Sequence, residues 1–202
     1  FYGMQKSYGN LEGALAIMAN GALILQFPLA HSFLLSQRGQ KVLSLLGPKG
    51  LAISLSTTSF TIVASIQLFV LFMLWSPSKI VFELPFEFLI YILPILYCLS
   101  WFLLIVATID AGLEVQSGAL GWISVLARKK PKFPELPTTG LYRVIRHPIY
   151  ASFFLAVLTV PTWSADQFVV SLILGAYCIF APILKDRRLI DRHGEKYLRY
   201  KN

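Results

Sequence analysis

Five stretches of this chain are apolar for roughly the 20 residues that a helix needs to cross a hydrocarbon layer of about 30 Å. They run over residues 14–35, 51–75, 84–109, 148–163 and 167–184. Inside a bilayer every backbone N–H and C=O must find its partner within the protein, so such runs become helices. Composition agrees: 56% of the 202 residues are hydrophobic and 14% charged, against about 25% charged in an ordinary soluble domain. A chain this short cannot hide so much apolar surface in one core. The expected fold is therefore all-α, a polytopic membrane bundle of about five spans, read as one integral-membrane domain over 1–202. Residues 1–110 hold three spans, 111–147 form a connector, 148–184 a helical hairpin closed by Ser164-Ala165-Asp166, and 185–202 an amphipathic tail.

The net charge of +8 suits either a nucleic-acid binder or a membrane protein with basic loops. With five spans, the segments 36–50, 110–147 and 185–202 share one side, and they carry sixteen of the eighteen basic residues. Cytoplasmic loops concentrate Lys and Arg. The N-terminus is thus expected outside and the C-terminus in the cytoplasm, and topology accounts for the basic residues without nucleic acid. The run Arg128-Lys129-Lys130 with Lys132 also suits anionic membrane lipids. The first apolar run is too long for a cleaved signal peptide and has no basic segment before it. Cys98 and Cys178 lie within spans, away from metal-ligand spacing, and read as packing residues with no disulfide and no metal site.

Polar groups at membrane depth are costly and therefore informative. His31, His147, His193, Asp110, Glu114 and Asp186 all fall near the cytoplasmic face, where a water-soluble cofactor could reach them. The sharpest feature is the run Gly140-Leu141-Tyr142-Arg143-Val144-Ile145-Arg146-His147-Pro148-Ile149-Tyr150. Gly140 permits a turn, and Pro148 suits the first turn of a helix, where its missing N–H costs nothing. Arg146 and His147 then flank a helix N-terminus, which attracts anions; the plainer alternative is that they cap the span and meet lipid phosphates. Beyond the hairpin, Lys185 to Tyr200 reads as a helix stopped near Gly194 and then a short helix carrying Tyr197 and Tyr200. The plainer alternative here is a basic membrane-surface helix.

Together these segments resemble the integral-membrane methyltransferases that include isoprenylcysteine carboxyl methyltransferase, phospholipid methyltransferases and methanethiol S-methyltransferase. Arg146, His147, Pro148 and Tyr150 match that family's Arg-His-Pro-x-Tyr, Asp186 its second acidic position, and Gly194, Tyr197 and Tyr200 its closing glycine and tyrosines. His31-Ser32, Asp110 and the stretch Gly118 to Trp122 resemble the methanethiol-methylating and NnrU-type branch. The chain departs from the pattern at Lys185, where the family has its first acid, and at Ser152, where a glycine is common.

The resemblance implies an enzyme using S-adenosylmethionine, bound at the cytoplasmic end of the hairpin under the tail. His147 and Tyr150 would meet its adenosyl or methionyl part, Arg146 its carboxylate and Asp186 its ammonium, with Tyr197 or Tyr200 as a lid. No general base is nominated, and a thiol or a lipid-borne group are both possible acceptors, the thiol being nearer the resembling branch. The Asp186-Arg187-Arg188-Leu189 run also resembles zeta-carotene isomerases, which implies a haem-binding alternative with His31 and His147 as axial ligands. Lys185 leaves open a non-catalytic subunit of a larger membrane complex. A bacterial inner membrane is the expected location, with a thylakoid or organelle membrane as the alternative.

Overall fold

The computed structural model describes residues 3–48 and 50–201. Lys49, one of the basic residues counted above, lies outside them. The elements in chain order are α1 (Gly13–Leu34), α2 (Gln37–Leu45), α3 (Ser56–Leu74), α4 (Leu89–Asp110), α5 (Leu113–Gln116), α6 (Ala119–Leu126), a 3-10 turn (Gly140–Arg143), α7 (Pro148–Leu158), α8 (Ala165–His193) and α9 (Glu195–Lys201). No strand forms among the described residues; one isolated bridge joins Val81 to Ser164. The fold is a polytopic helical membrane bundle in which α1, α3, α4 and α8 are long and apolar enough to cross a bilayer. Their outward faces carry large bare apolar side chains, including Leu15, Ile17 and Leu29 on α1 and Ile95, Phe102 and Ile105 on α4. In water such surface would drive association, whereas in lipid it is solvated.

The fourth apolar run departs from expectation. It is helical only over α7, 11 residues or about 16 Å at 1.5 Å per residue, too short to span. The cause is in the sequence: Pro161 disfavours helical backbone at Val160. Residues 159–164 continue to the far end of the bundle without helix. Non-helical backbone at this depth must be shielded by protein, and it is. Thr159, Val160 and Ser164 are buried, Trp163 accepts from the Phe82 N–H at 2.9 Å, and the Ala165 N–H donates to Ile80 at 3.0 Å.

α7 packs between α4 and α8, while α1 packs on α3 and α8. At the end of the bundle remote from Asp186, Met4, Ile24, Leu71, Trp75, Val170 and Leu174 form the apolar core. Above it the Asp166 carboxylate accepts from Gln5 (2.7 Å), the Trp75 indole (3.0 Å) and both the N–H (2.9 Å) and hydroxyl (2.7 Å) of Ser78. That cluster fixes where α8 starts. Between α1 and α3, Gln67 donates to the Gln26 side chain at 2.8 Å and Gln26 donates to the Gln67 backbone carbonyl at 3.1 Å, so two membrane-depth amides tie the helices together.

The connector is more structured than a polar loop. α6 is apolar, with Trp122, Ile123 and Leu126 bare, as suits a helix lying in the membrane interface. Its inner side meets the start of α3 closely. The Thr58 hydroxyl donates to the Gly118 carbonyl at 2.5 Å, and a side chain at Gly118 would run into Thr61 and one at Gly121 into Ser54 and Thr58.

Candidate functional site

The site lies where the two ends of the hairpin meet the tail. His147 is the residue before α7 and Asp186 sits about six turns into α8. Because 147–164 and α8 run back past each other over the same depth, those two residues come level. The His147 Nε2 lies 2.7 Å from Asp186 Oδ1. The Tyr197 hydroxyl donates to the same oxygen at 2.5 Å, and Asp186 Oδ2 faces Arg146 at 3.4 Å and Lys201 at 3.6 Å. Gly194 ends α8 with φ +51°, a left-handed conformation that costs glycine little. That turn lets α9 fold back and deliver Tyr197.

His147, Asp186 and Tyr197 are all buried, so their charges and hydrogen bonds must be settled internally. Burial pushes the His147 imidazole below its ordinary range and the charge of Lys185 adds to this, with the Asp186 carboxylate offsetting only part. His147 is therefore neutral near pH 7. Since Nε2 faces a carboxylate it carries the ring proton, which leaves Nδ1 as an acceptor. This Nδ1 is buried and has no partner. Burial, reinforced by Asp186, also holds the Tyr197 phenol protonated well above its usual range, in keeping with its role as donor.

Beside this knot lies a cavity of about 150 Å³. Its walls come from α8 (Lys185, Leu189, Arg192), from Tyr142 and Arg146 before α7, from α9 and from the extended stretch 133–137. The Tyr142 hydroxyl is a second buried group without a partner. Its backbone is held from two sides: the Tyr200 hydroxyl donates to the Tyr142 carbonyl at 2.5 Å, and the neighbouring Leu141 N–H donates to Asp110 at 2.8 Å. Gly140 makes the second contact possible. Its φ is +59° and a side chain there would collide with the Asp110 carboxylate.

The structure thus brings Arg146, His147, Asp186 and Tyr197 into one hydrogen-bonded group. Tyr150 joins it edge-on to His147, with ring centres 6.2 Å apart, and Tyr200 lies 6.0 Å from Tyr197. His31 is elsewhere, between the rings of Phe27 (5.0 Å) and Phe60 (4.8 Å). A chain of ring contacts, His31 to Tyr177 to Tyr150 to His147, at 6.2, 6.4 and 6.2 Å, separates the two histidines. With His147 Nε2 on Asp186 and tyrosine rings in between, the pair does not form a haem-ligating couple, and the haem alternative is unsupported. Sequence reasoning passed over Tyr142 and the wall 133–137. Tyr142 stood inside the quoted motif, and the Pro-rich sequence at Pro131, Pro134 and Pro137 by itself implies only an extended or turning segment.

No protein-family description matches this chain, and no solved structure matches it. Curated proteins do. The chain is 26% identical over 202 residues to a methanethiol S-methyltransferase of Pseudomonas deceptionensis, covering 98% of this chain and 76% of that protein. It is 26% identical to methanethiol S-methyltransferase 1 of Bradyrhizobium diazoefficiens, over 93% of this chain and 65% of that protein. A third, from Pseudomonas sp. strain GM41(2012), is 23% identical over 92% of this chain and 70% of its own length. The likeness to membrane methyltransferases therefore extends over nearly the whole chain, well beyond the C-terminal motifs.

Proposed function

We propose that this chain is a membrane methyltransferase that passes a methyl group from S-adenosylmethionine to a small thiol. The observation that carries the reading is the buried group of His147, Asp186 and Tyr197 with the exposed Arg146 at its edge, beside a cavity lined by Tyr142 with its unpartnered hydroxyl, in a chain similar throughout to proteins named for methylating methanethiol. The residues suit such a donor. His147 Nδ1 is free to accept and the Tyr142 hydroxyl is free to donate, which matches an adenosine or amino-acid moiety. Arg146 supplies a planar charged donor set for a carboxylate. S-adenosylmethionine, when bound, supplies a methyl carbon already activated by a sulfonium.

The rest of the work is alignment and exclusion of water, which is an effect of proximity. Asp186 does it indirectly. Its two oxygens already serve His147, Tyr197, Arg146 and Lys201, so it orients those groups and has little capacity left for a ligand ammonium. Tyr150 continues the wall from His147 toward Tyr177 and the bundle interior, along which an apolar thiol would approach from the lipid. A cavity of about 150 Å³ falls short of the roughly 300 Å³ at the low end of small-molecule sites. Admitting a whole nucleoside therefore requires the 133–137 wall and α9 to separate. The clasp between them is the exposed Lys196–Glu135 pair at 2.6 Å, the kind of surface pair worth little.

Isothermal titration of the detergent-purified protein with S-adenosylhomocysteine tests the reading, with methyl transfer from labelled donor to methanethiol alongside. Micromolar binding that weakens at least tenfold in His147→Ala and Tyr142→Phe supports it. Absence of binding and transfer in the unmodified protein overturns it. Binding indifferent to both substitutions moves the site elsewhere.

A further inference from the structure

Thiols present a particular difficulty to a methyltransferase. The nucleophile is the thiolate, yet an ordinary thiol with a pKa of about 8.5 is mostly protonated at neutral pH. A nearby cation lowers that pKa, and more so in a poorly solvated site. Three cations of the site, Arg146, Lys201 and Lys196, are already committed to Asp186 or Glu135, and Arg192 lines the cavity two turns of α8 beyond Lys185. Lys185 is different. It lines the cavity, and its ammonium makes neither a hydrogen bond nor an ion pair among the described residues. Its contact is the face of Tyr150, 5.5 Å from the ring centre.

The placement is specific. Tyr177, Ala181, Lys185 and Arg188 recur at helical spacing on one side of α8, so Lys185 stands between the cavity and the Tyr150–Tyr177 ring contacts that lead inward. The groups that act on it electrostatically are Asp186, one residue on and already saturated, and Arg188, a turn further along. His147 faces it as a neutral ring and Tyr150 as an uncharged phenol. Glu135 across the cavity is exposed and paired with Lys196. No carboxylate is thus left to neutralise Lys185.

Resting on the methyltransferase reading above, we infer that Lys185 is the acceptor-binding residue, holding the thiol as its thiolate against the Tyr150 ring at the inner edge of the cavity. The thiol gives its S–H proton to solvent as it binds. A lone pair on the thiolate sulfur then forms the new S–CH3 bond while the donor's S–CH3 bond breaks, its electron pair staying on the donor sulfur. A sulfonium and a thiolate become two neutral sulfides, with one proton released and no change of redox state. Lys185 attracts the anionic acceptor and has no charge to hold in the product, which favours release.

The test compares the full-length protein with Lys185→Met and Lys185→Arg. Without any methyl donor, an aromatic thiol whose thiolate absorbs in the ultraviolet is titrated with pH in the presence of each protein. The unmodified protein and Lys185→Arg are expected to raise the thiolate-to-thiol ratio of bound thiol about tenfold at a given pH, and Lys185→Met to leave it as in buffer. With donor, Lys185→Met is expected to keep the affinity for S-adenosylhomocysteine, to methylate only in step with the free thiol's ionisation, and to recover most with the more acidic thiols. If Lys185→Met instead weakens S-adenosylhomocysteine binding and slows all thiols alike, the ammonium serves the donor's carboxylate and the inference fails. An unmodified protein that ionises the bound thiol but never methylates it overturns the methyltransferase reading and keeps the role of Lys185. One that methylates with the same pH profile as Lys185→Met does the reverse.

Discussion

Replacing Asp186 by alanine should loosen the tail and cost much of the protein's heat stability, by an amount that can be worked from its contacts. The carboxylate accepts from two buried donors, His147 Nε2 at 2.7 Å and the Tyr197 hydroxyl at 2.5 Å. Leaving a buried donor without a partner costs about 1–3 kcal/mol. Arg146 and Lys201, at 3.4 and 3.6 Å and well exposed, add a few tenths each after solvent screening. The total is about 2.5–6.5 kcal/mol, which for a chain of this size lowers the melting temperature by roughly 5–25 °C. Tyr197 is the tie between α9 and α8, so trypsin should cut Asp186→Ala at Arg192, Lys196 and Arg199 at least tenfold faster. Asp166→Ala is the matched control. That carboxylate accepts four hydrogen bonds at the opposite end, so its loss should lower the melting temperature comparably while the tail stays protected. Equal cleavage in the two variants, or an Asp186→Ala protein that melts and resists trypsin like the unmodified chain, would refute the reasoning.

Acid should weaken the site through His147. Burial lowers its pKa, so between that lowered value and about 6.5 the unfolded chain binds more protons than the folded one, and stability falls as pH drops through this window. Melting temperature and S-adenosylhomocysteine affinity should therefore both decline below about pH 6.5, and the slope should shrink in His147→Gln. Gly140→Ala should destabilise by about 2 kcal/mol, since φ +59° is strained for alanine and the added carbon meets Asp110; thermal melting in detergent checks it. Gln67→Leu removes the side-chain hydrogen bond to Gln26 while keeping the backbone acceptor and should cost about 1 kcal/mol, without changing ligand affinity.

Spans were legible because apolar length is a property of sequence alone. The runs at 14–35, 51–75 and 84–109 became α1, α3 and α4 with ends shifted by a few residues. The run at 148–163 showed the limit of that reasoning: hydropathy continued across Val160-Pro161, but helical hydrogen bonding did not. Within the site, Arg146, His147, Asp186 and Tyr197 could be grouped because a tight reversal forces the ends of a hairpin level and Gly194 marks the next turn. What could not be read was rotation about the helix axes. Whether Lys185 or Asp186 faces α9, or whether His31 reaches Tyr177 rather than His147, depends on about 100° of turn per residue, which composition does not record. The wall at 133–137 was hidden for a related reason, since its place is set by contacts such as Pro134 with Gly112, more than twenty positions away.

α8 is fastened near both ends by a carboxylate, Asp166 at its first turn and Asp186 at the site. Twenty residues separate them, about 30 Å of helix, which is also the thickness of a typical hydrocarbon layer. A helix pinned at two depths cannot slide or tilt freely to suit a different bilayer. Lipids with shorter or longer acyl chains would instead load the two ties, at a fraction of a kcal/mol per Å of mismatch. Membrane thickness thereby becomes a variable of the site itself: reconstitution in a series of acyl-chain lengths should give methyl transfer a maximum where the hydrocarbon matches the distance between the two aspartates.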